Sequence, residues 1–235
     1  MIQLCVVLKN SFGLIFRFAE AVRQHLPDML YPSHDNSVLI MFVHTTGGGI
    51  GDYCKVDVSI PCTDKQGRHF HYGVQAYADS SASITMGREV FGMPQKFGHP
   101  KLAVVSDTLT GSLEYGGLPV CRGTMGFKTA PLDPFEAQKM LSVPHLGLKL
   151  IPHVDGNPAI AQLVRSDRSQ ITIKSSFKGK ARLDLRQHVS APIADLPVVR
   201  VSDAYHIKCD LVQPVAVVEH DYLAETTAEA AKTTL

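Results

Sequence analysis

Hydrophobic and polar residues alternate over much of this chain, which is the pattern of β-strands that bury one face. From Tyr53 to Ile60 one set of alternate positions is Cys, Val, Val and Ile, and the other is Tyr, Lys, Asp and Ser. A turn over residues 63–68 leads into a second alternating run over residues 69–76. The pattern predicts a hairpin in which Lys55 and Asp57 share one face.

Similar strand pairs are predicted further along the chain, each around a turn rich in glycine or proline. They cover 109–127, 146–164 and 171–185, the last turning at Lys178-Gly179-Lys180, and the apolar N-terminus MIQLCVVLKN reads as one more strand. Successive hairpins give an antiparallel sheet, and closing such a sheet removes its exposed edges. The predicted fold is therefore mainly β (α+β), a sheet closed into a cone or barrel with a few short outer helices.

Helical signals occur in three places. Short helices are expected over 18–26, before Pro27, and over 81–91, before Gly92. Asp133 is a predicted N-cap, because Pro134 follows it and an apolar stretch comes next. No linker divides the chain, so residues 1–223 are interpreted as one domain, and the small polar residues 224–235 as a flexible tail.

Composition excludes several classes of function. Lys and Arg total 23 against 22 for Asp and Glu, and no basic stripe recommends a nucleic acid or an acidic membrane as partner. The longest strongly apolar run, Val38 to Val43, is far shorter than a membrane span. The N-terminus has no basic leader, and the five scattered cysteines include no C-x-x-C pair. A cytoplasmic protein is expected.

Two motifs are interpreted as structural. The run Gly47-Gly48-Gly49-Ile50-Gly51 lacks the third glycine of a dinucleotide fingerprint and joins two strands, so it is read as a turn. His69 and His71 share a strand face, but no third ligand stands at a recognisable spacing. We therefore expect no metal.

The segment from Gly87 to Leu102, GREVFGMPQKFGHPKL, is the most informative part of the sequence. Its glycines and prolines predict an irregular loop after a helix, and this loop carries Gln95, Lys96, His99 and Lys101. By composition alone, these basic residues would more often be a solvated loop than a site.

This segment resembles the lysine loop of acetoacetate decarboxylases, and the resemblance continues through further motifs in order. They are DTLTGSLEYG (107–116), TMGFK (124–128), LDPFEA (132–137), KLIPHVDGNP (149–158), APIADLPV (191–198) and DYL (221–223). The resemblance implies the fold of that family, a homo-oligomer, a small keto acid substrate and no cofactor. In the family, a lysine of this loop forms a Schiff base with the substrate ketone, assisted by a neighbouring lysine.

This chain departs from the family pattern at two positions. Gln95 stands at the Schiff-base position, beside Lys96, and glutamine cannot form an imine. Lys55 stands where the family carries an acidic residue on the strand after the glycine loop. We expect Lys55, Gln95 and Lys96 to converge on one cavity as the catalytic residues. The expected substrate-binding residues beside them are Arg88, Glu89 and Met93.

Three hypotheses fit these departures. Lys55 could be a relocated nucleophile, with Lys96 supplying a nearby charge and Gln95 binding substrate. Alternatively, Lys55 and Lys96 bind a carboxylate or stabilise an enolate without an imine, which also suits tautomerisation, dehydration or cyclisation. In the third, Lys55 is a solvated residue on an outward face, and the protein is a non-catalytic binder of small ligands.

Overall fold

Strands dominate the structure. The computed structural model describes residues 2–10, 22–196, 198 and 200–224. Fifteen strands lie within these residues: β1 (Ile2–Asn10), β2 (Tyr31–Pro32), β3 (Val38–Thr45), β4 (Tyr53–Thr63), β5 (His69–Ala78), β6 (Gln95–Phe97), β7 (His99–Val105), β8 (Thr108–Tyr115), β9 (Leu118–Gly126), β10 (Ala130–Pro131), β11 (His145–Pro152), β12 (Pro158–Ser166), β13 (Ser169–Leu185), β14 (Arg200–Val212) and β15 (Val217–Asp221).

Helices are short, as the sequence predicts. Helix α1 spans Ser81–Glu89, and α2 spans Pro134–Leu141 with Asp133 accepting a bond from the Phe135 N–H as its N-cap. A 3₁₀ turn covers Ile193–Asp195. No helix in the described residues is long and apolar enough to cross a membrane. Of the helix predicted over 18–26, residues 18–21 lie outside the described residues, as do 225–235 of the predicted tail.

One continuous sheet joins the strands, curled into a half-barrel. Its main path runs β15-β12-β11-β5-β4-β3-β1-β14-β13-β9-β8-β7, and β2, β6 and β10 pair beside this path. Neighbours are antiparallel except that β5 runs parallel to β6 and to β11. The prediction of a mainly antiparallel, curled sheet with a few short helices is confirmed.

Two local predictions are wrong. No hairpin turns at Gly179, because β13 continues for 17 residues and pairs with β14 along one part and with β9 along the other. The irregular path after α1 ends at Pro94, since residues 95–97 already form β6 along β5. In both places, hydrogen bonds to distant strands outweigh the local preference for a turn.

The two faces of β4 and β5 lie in different environments. The alternate residues Val56, Val58 and Tyr77 belong to the main hydrophobic core. The other face of β4 carries Lys55, Asp57 and Ser59, opposite Val43, Met41 and Leu39 of β3. These β3 residues pack with Ala137 and Leu141 of α2 in a second core. Below, the side bearing Lys55 and Asp57 is the lysine face, and the side bearing Val56 and Tyr77 is the tyrosine face.

Candidate active site

An ion pair lies at the centre of the lysine face. The Lys55 Nζ is 2.7 Å from the Asp57 Oδ2, and the exposed fractions of the two side chains are 20% and 2%. Lys55 is therefore not the solvated outward residue of the third hypothesis. The Asp57 Oδ1 is buried and has no hydrogen-bond partner among the described residues. A carboxylate this deeply buried holds the lysine ammonium in a fixed position.

A half-buried arginine and two histidines lie near this ion pair, close enough for the charge of Lys55 to act on His145 and that of Asp57 on Arg168. The Arg168 side chain donates to the His145 Nε2 over 2.9 Å and to the Leu141 carbonyl over 3.3 Å. The His145 ring meets the His71 ring edge-on, with centroids 5.2 Å apart. Burial, reinforced by the Arg168 charge, lowers the pKa of His71 to about 4 and that of His145 well below its usual value. Both imidazoles are therefore neutral near pH 7.

Gln95 shares the lysine face with this cluster. Strand register aligns Asp57 with Ala76, and Ala76 with Gln95. Aligned residues of neighbouring strands project to the same face, so only the small Ala76 separates Gln95 from the ion pair. Gln95 is buried beneath α1, where a side chain added at Gly87 would collide with the Gln95 Oε1. That oxygen also has no partner in the described part of the chain.

Lys96 lies on the opposite side of the sheet. It is aligned with Tyr77 on the tyrosine face, is exposed, and donates from Nζ to the Ser190 carbonyl over 2.9 Å. The structure therefore brings Lys55 and Gln95 to one face but does not bring Lys96 to them. The reason is the strand: because residues 95 and 96 are consecutive in β6, their side chains alternate between faces.

The three residues expected to bind substrate do not reach the ion pair. Arg88 and Met93 line a separate pocket of about 330 Å³, and Glu89 is exposed on the outside of α1. Arg88 bonds the Gln95 carbonyl oxygen from 3.5 Å, and Met93 packs where a side chain at Gly73 would otherwise lie. Their contacts support the backbone around Gln95 and do not line the lysine face.

Sequence reasoning missed Asp57, His145 and Arg168. The alternation in β4 did place Asp57 beside Lys55, which was the available signal, whereas nothing local marks the other two. His71 was considered only as a metal ligand paired with His69; in the structure its ring neighbour is His145. Within the described ranges, no group of three or more His, Cys, Asp or Glu side chains is placed to hold a metal ion.

Polar atoms without partners gather on the lysine face. Among the described residues, six buried side-chain atoms lack a hydrogen bond, and four of them belong to Asp57, Ser59, His71 and Gln95. Buried polar atoms are nearly always hydrogen-bonded in native proteins, to water or a ligand where protein groups are absent. The lysine face and its surroundings thus carry one fixed ammonium, one half-buried guanidinium and several open acceptors.

Comparison with known proteins agrees with this architecture. Residues 12–223 match the family model described as acetoacetate decarboxylase (ADC). The acetoacetate decarboxylase of Clostridium beijerinckii is 42% identical over 219 residues, covering 92% of this chain and 88% of that protein. That of Streptomyces nogalater is 43% identical over 176 residues, covering 75% and 72%. The crystal structure of acetoacetate decarboxylase from Legionella pneumophila superposes with a TM-score of 0.88 at 30% identity, over 94% of this chain and 86% of that one.

Proposed function

Because the chain belongs to the acetoacetate decarboxylase family, we propose that it decarboxylates a small β-keto acid by stabilising the enolate with Lys55. The chain is an acetoacetate decarboxylase-like lyase. What we propose is its substrate class and the residues that carry out the reaction. The observation that carries it is the Lys55–Asp57 ion pair, half-buried on the face that also holds Gln95.

The ion pair favours enolate stabilisation over an imine. A lysine that bonds a carboxylate at 2.7 Å carries its proton, and an ammonium has no lone pair with which to attack a ketone. The same ammonium can donate to the ketone oxygen of a bound keto acid. Asp57 keeps it aimed, so little reorganisation is needed when charge develops on that oxygen.

The proposed reaction balances without a cofactor. The bond between the α-carbon and the carboxylate breaks, carbon dioxide leaves, and the electron pair moves onto the ketone oxygen as an enolate. The Lys55 ammonium stabilises this oxygen, which is negative only as the bond breaks, so the interaction lowers the barrier. The enolate carbon then takes a proton from water and the ketone is released.

Borohydride trapping followed by peptide mass analysis tests the mechanism. We expect a panel of β-keto acids to release carbon dioxide while neither Lys55 nor Lys96 gains a reductive label. A label on Lys55 would establish the relocated imine and overturn enolate stabilisation, and a label on Lys96 would contradict its place on the tyrosine face. Absence of carbon dioxide with every member of the panel would leave the non-catalytic binder. A family enzyme with lysine at the Schiff-base position is the positive control.

Assembly and compartment follow the same family reasoning. We propose a cytoplasmic homo-oligomer, as the resemblance implies. What supports the compartment is that Cys54, Cys62 and Cys209 are thiols outside any disulfide, and burial raises the pKa of Cys62 to about 12, so this thiol stays protonated and inert.

A further inference from the structure

A small cavity lies between the lysine face and α2. Arg168 and His71 are the polar groups that line it, and its remaining wall is apolar, with Met41 of β3, Ile207 of β14 and Leu141 of α2 among the lining residues. Its volume is about 210 Å³, room for roughly seven water-sized groups at ~30 Å³ each. This is below the usual range of ligand pockets, so an occupant would be small.

The charges around this cavity do not balance. Among the described residues, the charged side chains of the cluster are Lys55, Asp57 and Arg168. His145, which feels the charges of both Arg168 and Lys55, is neutral near pH 7, as is His71. The carboxylate of Asp57 is already bonded to Lys55, so one positive charge, at Arg168, is in excess. A half-buried charge without a counter-ion is destabilising in a largely apolar setting, and an anionic ligand would offset this cost.

The hydrogen-bond donors of Arg168 also favour an anionic ligand. The guanidinium has five N–H donors, and among the described residues its bonds go to one imidazole and one carbonyl, neither of which is an anion. A carboxylate is the group that matches the remaining fork. The unpartnered Asp57 Oδ1, Ser59 Oγ and His71 Nδ1 lie on the same face for the polar atoms of the ligand and its waters.

We propose that Arg168 binds the carboxylate of the ligand and that the site selects a small monocarboxylate with an apolar body. Resting on the proposed function, this assigns the two ends of the keto acid: its carboxylate lies at Arg168 and its ketone oxygen at Lys55. The negative charge leaves the Arg168 end as carbon dioxide forms. Arg168 therefore stabilises the bound substrate more than the transition state, and its loss should raise KM and kcat together while changing kcat/KM little.

Calorimetric titration with unreactive ligands tests the assignment without turnover. Butanoate should bind the wild-type protein at least about tenfold more tightly than its neutral isostere butanamide, because only the carboxylate forms an ion pair with the Arg168 guanidinium. Straight-chain carboxylates should gain roughly fourfold per added methylene until the cavity is full, and then stop gaining. Equal affinity for acid and amide would overturn the proposal.

Variants locate the carboxylate. Arg168→Met should weaken butanoate binding by about tenfold or more, to the level of the amide, and Arg168→Lys should recover part of it since the charge remains. The matched control is Lys55→Met with Asp57→Asn, which removes the ion pair and keeps the excess charge; it should still bind butanoate. Loss of binding in that control but not in Arg168→Met would move the carboxylate to Lys55 and overturn the assignment.

The same ligands and variants distinguish a failure of the Arg168 assignment from a failure of the proposed decarboxylation. Should Arg168→Met prove unfolded by circular dichroism, the acid-to-amide ratio of the wild-type protein still decides the matter. Selective butanoate binding without decarboxylation of any keto acid would sustain Arg168 as the anion site and refute the reaction. Decarboxylation with an unchanged KM in a folded Arg168→Met variant would do the opposite.

Discussion

The lysine face and the tyrosine face of the same strands hold polar groups under different conditions. On the tyrosine face, the Tyr77 hydroxyl donates to the Gln75 Oε1 over 2.8 Å, and the Gln75 amide donates to the Pro192 carbonyl over 3.1 Å. Lys96 likewise bonds the Ser190 carbonyl. On the lysine face, buried atoms of Asp57 and Gln95 are left open. In these strands, the polar groups named on the tyrosine face bond within the protein, whereas those on the lysine face keep open atoms that the proposed ligand would meet.

This difference shows why consecutive lysine-loop positions need not share a role. In β6 the chain turns residue 95 toward the ion pair and residue 96 toward solvent and the 188–192 segment. A charge on one face is separated from the other by the sheet and by the buried Tyr77 ring. Both departures from the family pattern, Lys55 and Gln95, therefore lie on the lysine face, whereas Lys96 bonds a carbonyl on the other side of the sheet.

The largest expected effect separates the two lysines. Lys55→Met should lower kcat on the best β-keto acid by roughly 100-fold or more, the usual loss when a preorganised oxyanion donor is removed. Lys96→Met should change kcat by less than about threefold, because an exposed side chain that bonds one carbonyl contributes little to chemistry or stability. Steady-state kinetics of both variants measures the contrast.

The Lys55→Met variant needs a control for its stability, because it leaves Asp57 buried without its cation. In comparable pairs this costs ~3–5 kcal/mol. Lys55→Met with Asp57→Asn removes both charges and should fold while remaining inactive. A double variant that is folded and fully active would remove the ion pair from the mechanism, and equal losses in the two single lysine variants would erase the contrast between the faces.

A smaller effect is expected from exchanging the residues of the lysine face, Lys55→Gln with Gln95→Lys. The exchange keeps the charge and moves the amine to a buried position beneath α1, where burial favours the neutral, nucleophilic form. Acetoacetate turnover should rise about tenfold over wild type, with a borohydride label at position 95. Efficient turnover of acetoacetate by the wild-type protein would show that glutamine at 95 does not limit the chemistry.

The sequence predicted the strands that form the site better than it predicted which residues meet there. Alternation in β4 placed Lys55 and Asp57 together, because that information is local and has a period of two residues. Arg168 and His145 were not predictable in this way. Arg168 lies between β12 and β13 and reaches the site only because the curled sheet brings the start of β11 against β5. The placement of Lys96 failed for the converse reason: a strand at 95–97 depends on pairing with β5, whereas the local glycines and prolines favour a loop.

The smallest expected effect is a pH dependence that belongs to the lysine face. Burial, and then the charge of Arg168, lower the pKa of His71 to about 4 and hold that of His145 well below its ordinary value. As pH falls through ~6.5 the unfolded chain binds protons at these positions before the native protein does, so the free energy of unfolding decreases by up to ~1.4 kcal/mol per pH unit for each. Their contribution is complete above pH ~7 and is lost progressively toward pH ~4. Urea midpoints from pH 7 to 5 should show this slope, and His71→Asn should reduce the number of protons taken up on unfolding by about one.

His206 on β14 is the matched comparison, because burial lowers its pKa to about 4 as well, yet it lies between Phe127 and Phe177. His206→Asn should reduce the slope similarly while leaving butanoate affinity unchanged, whereas His71→Asn should alter both. Identical ligand affinity in the two variants would mean that His71 does not take part in the anion site.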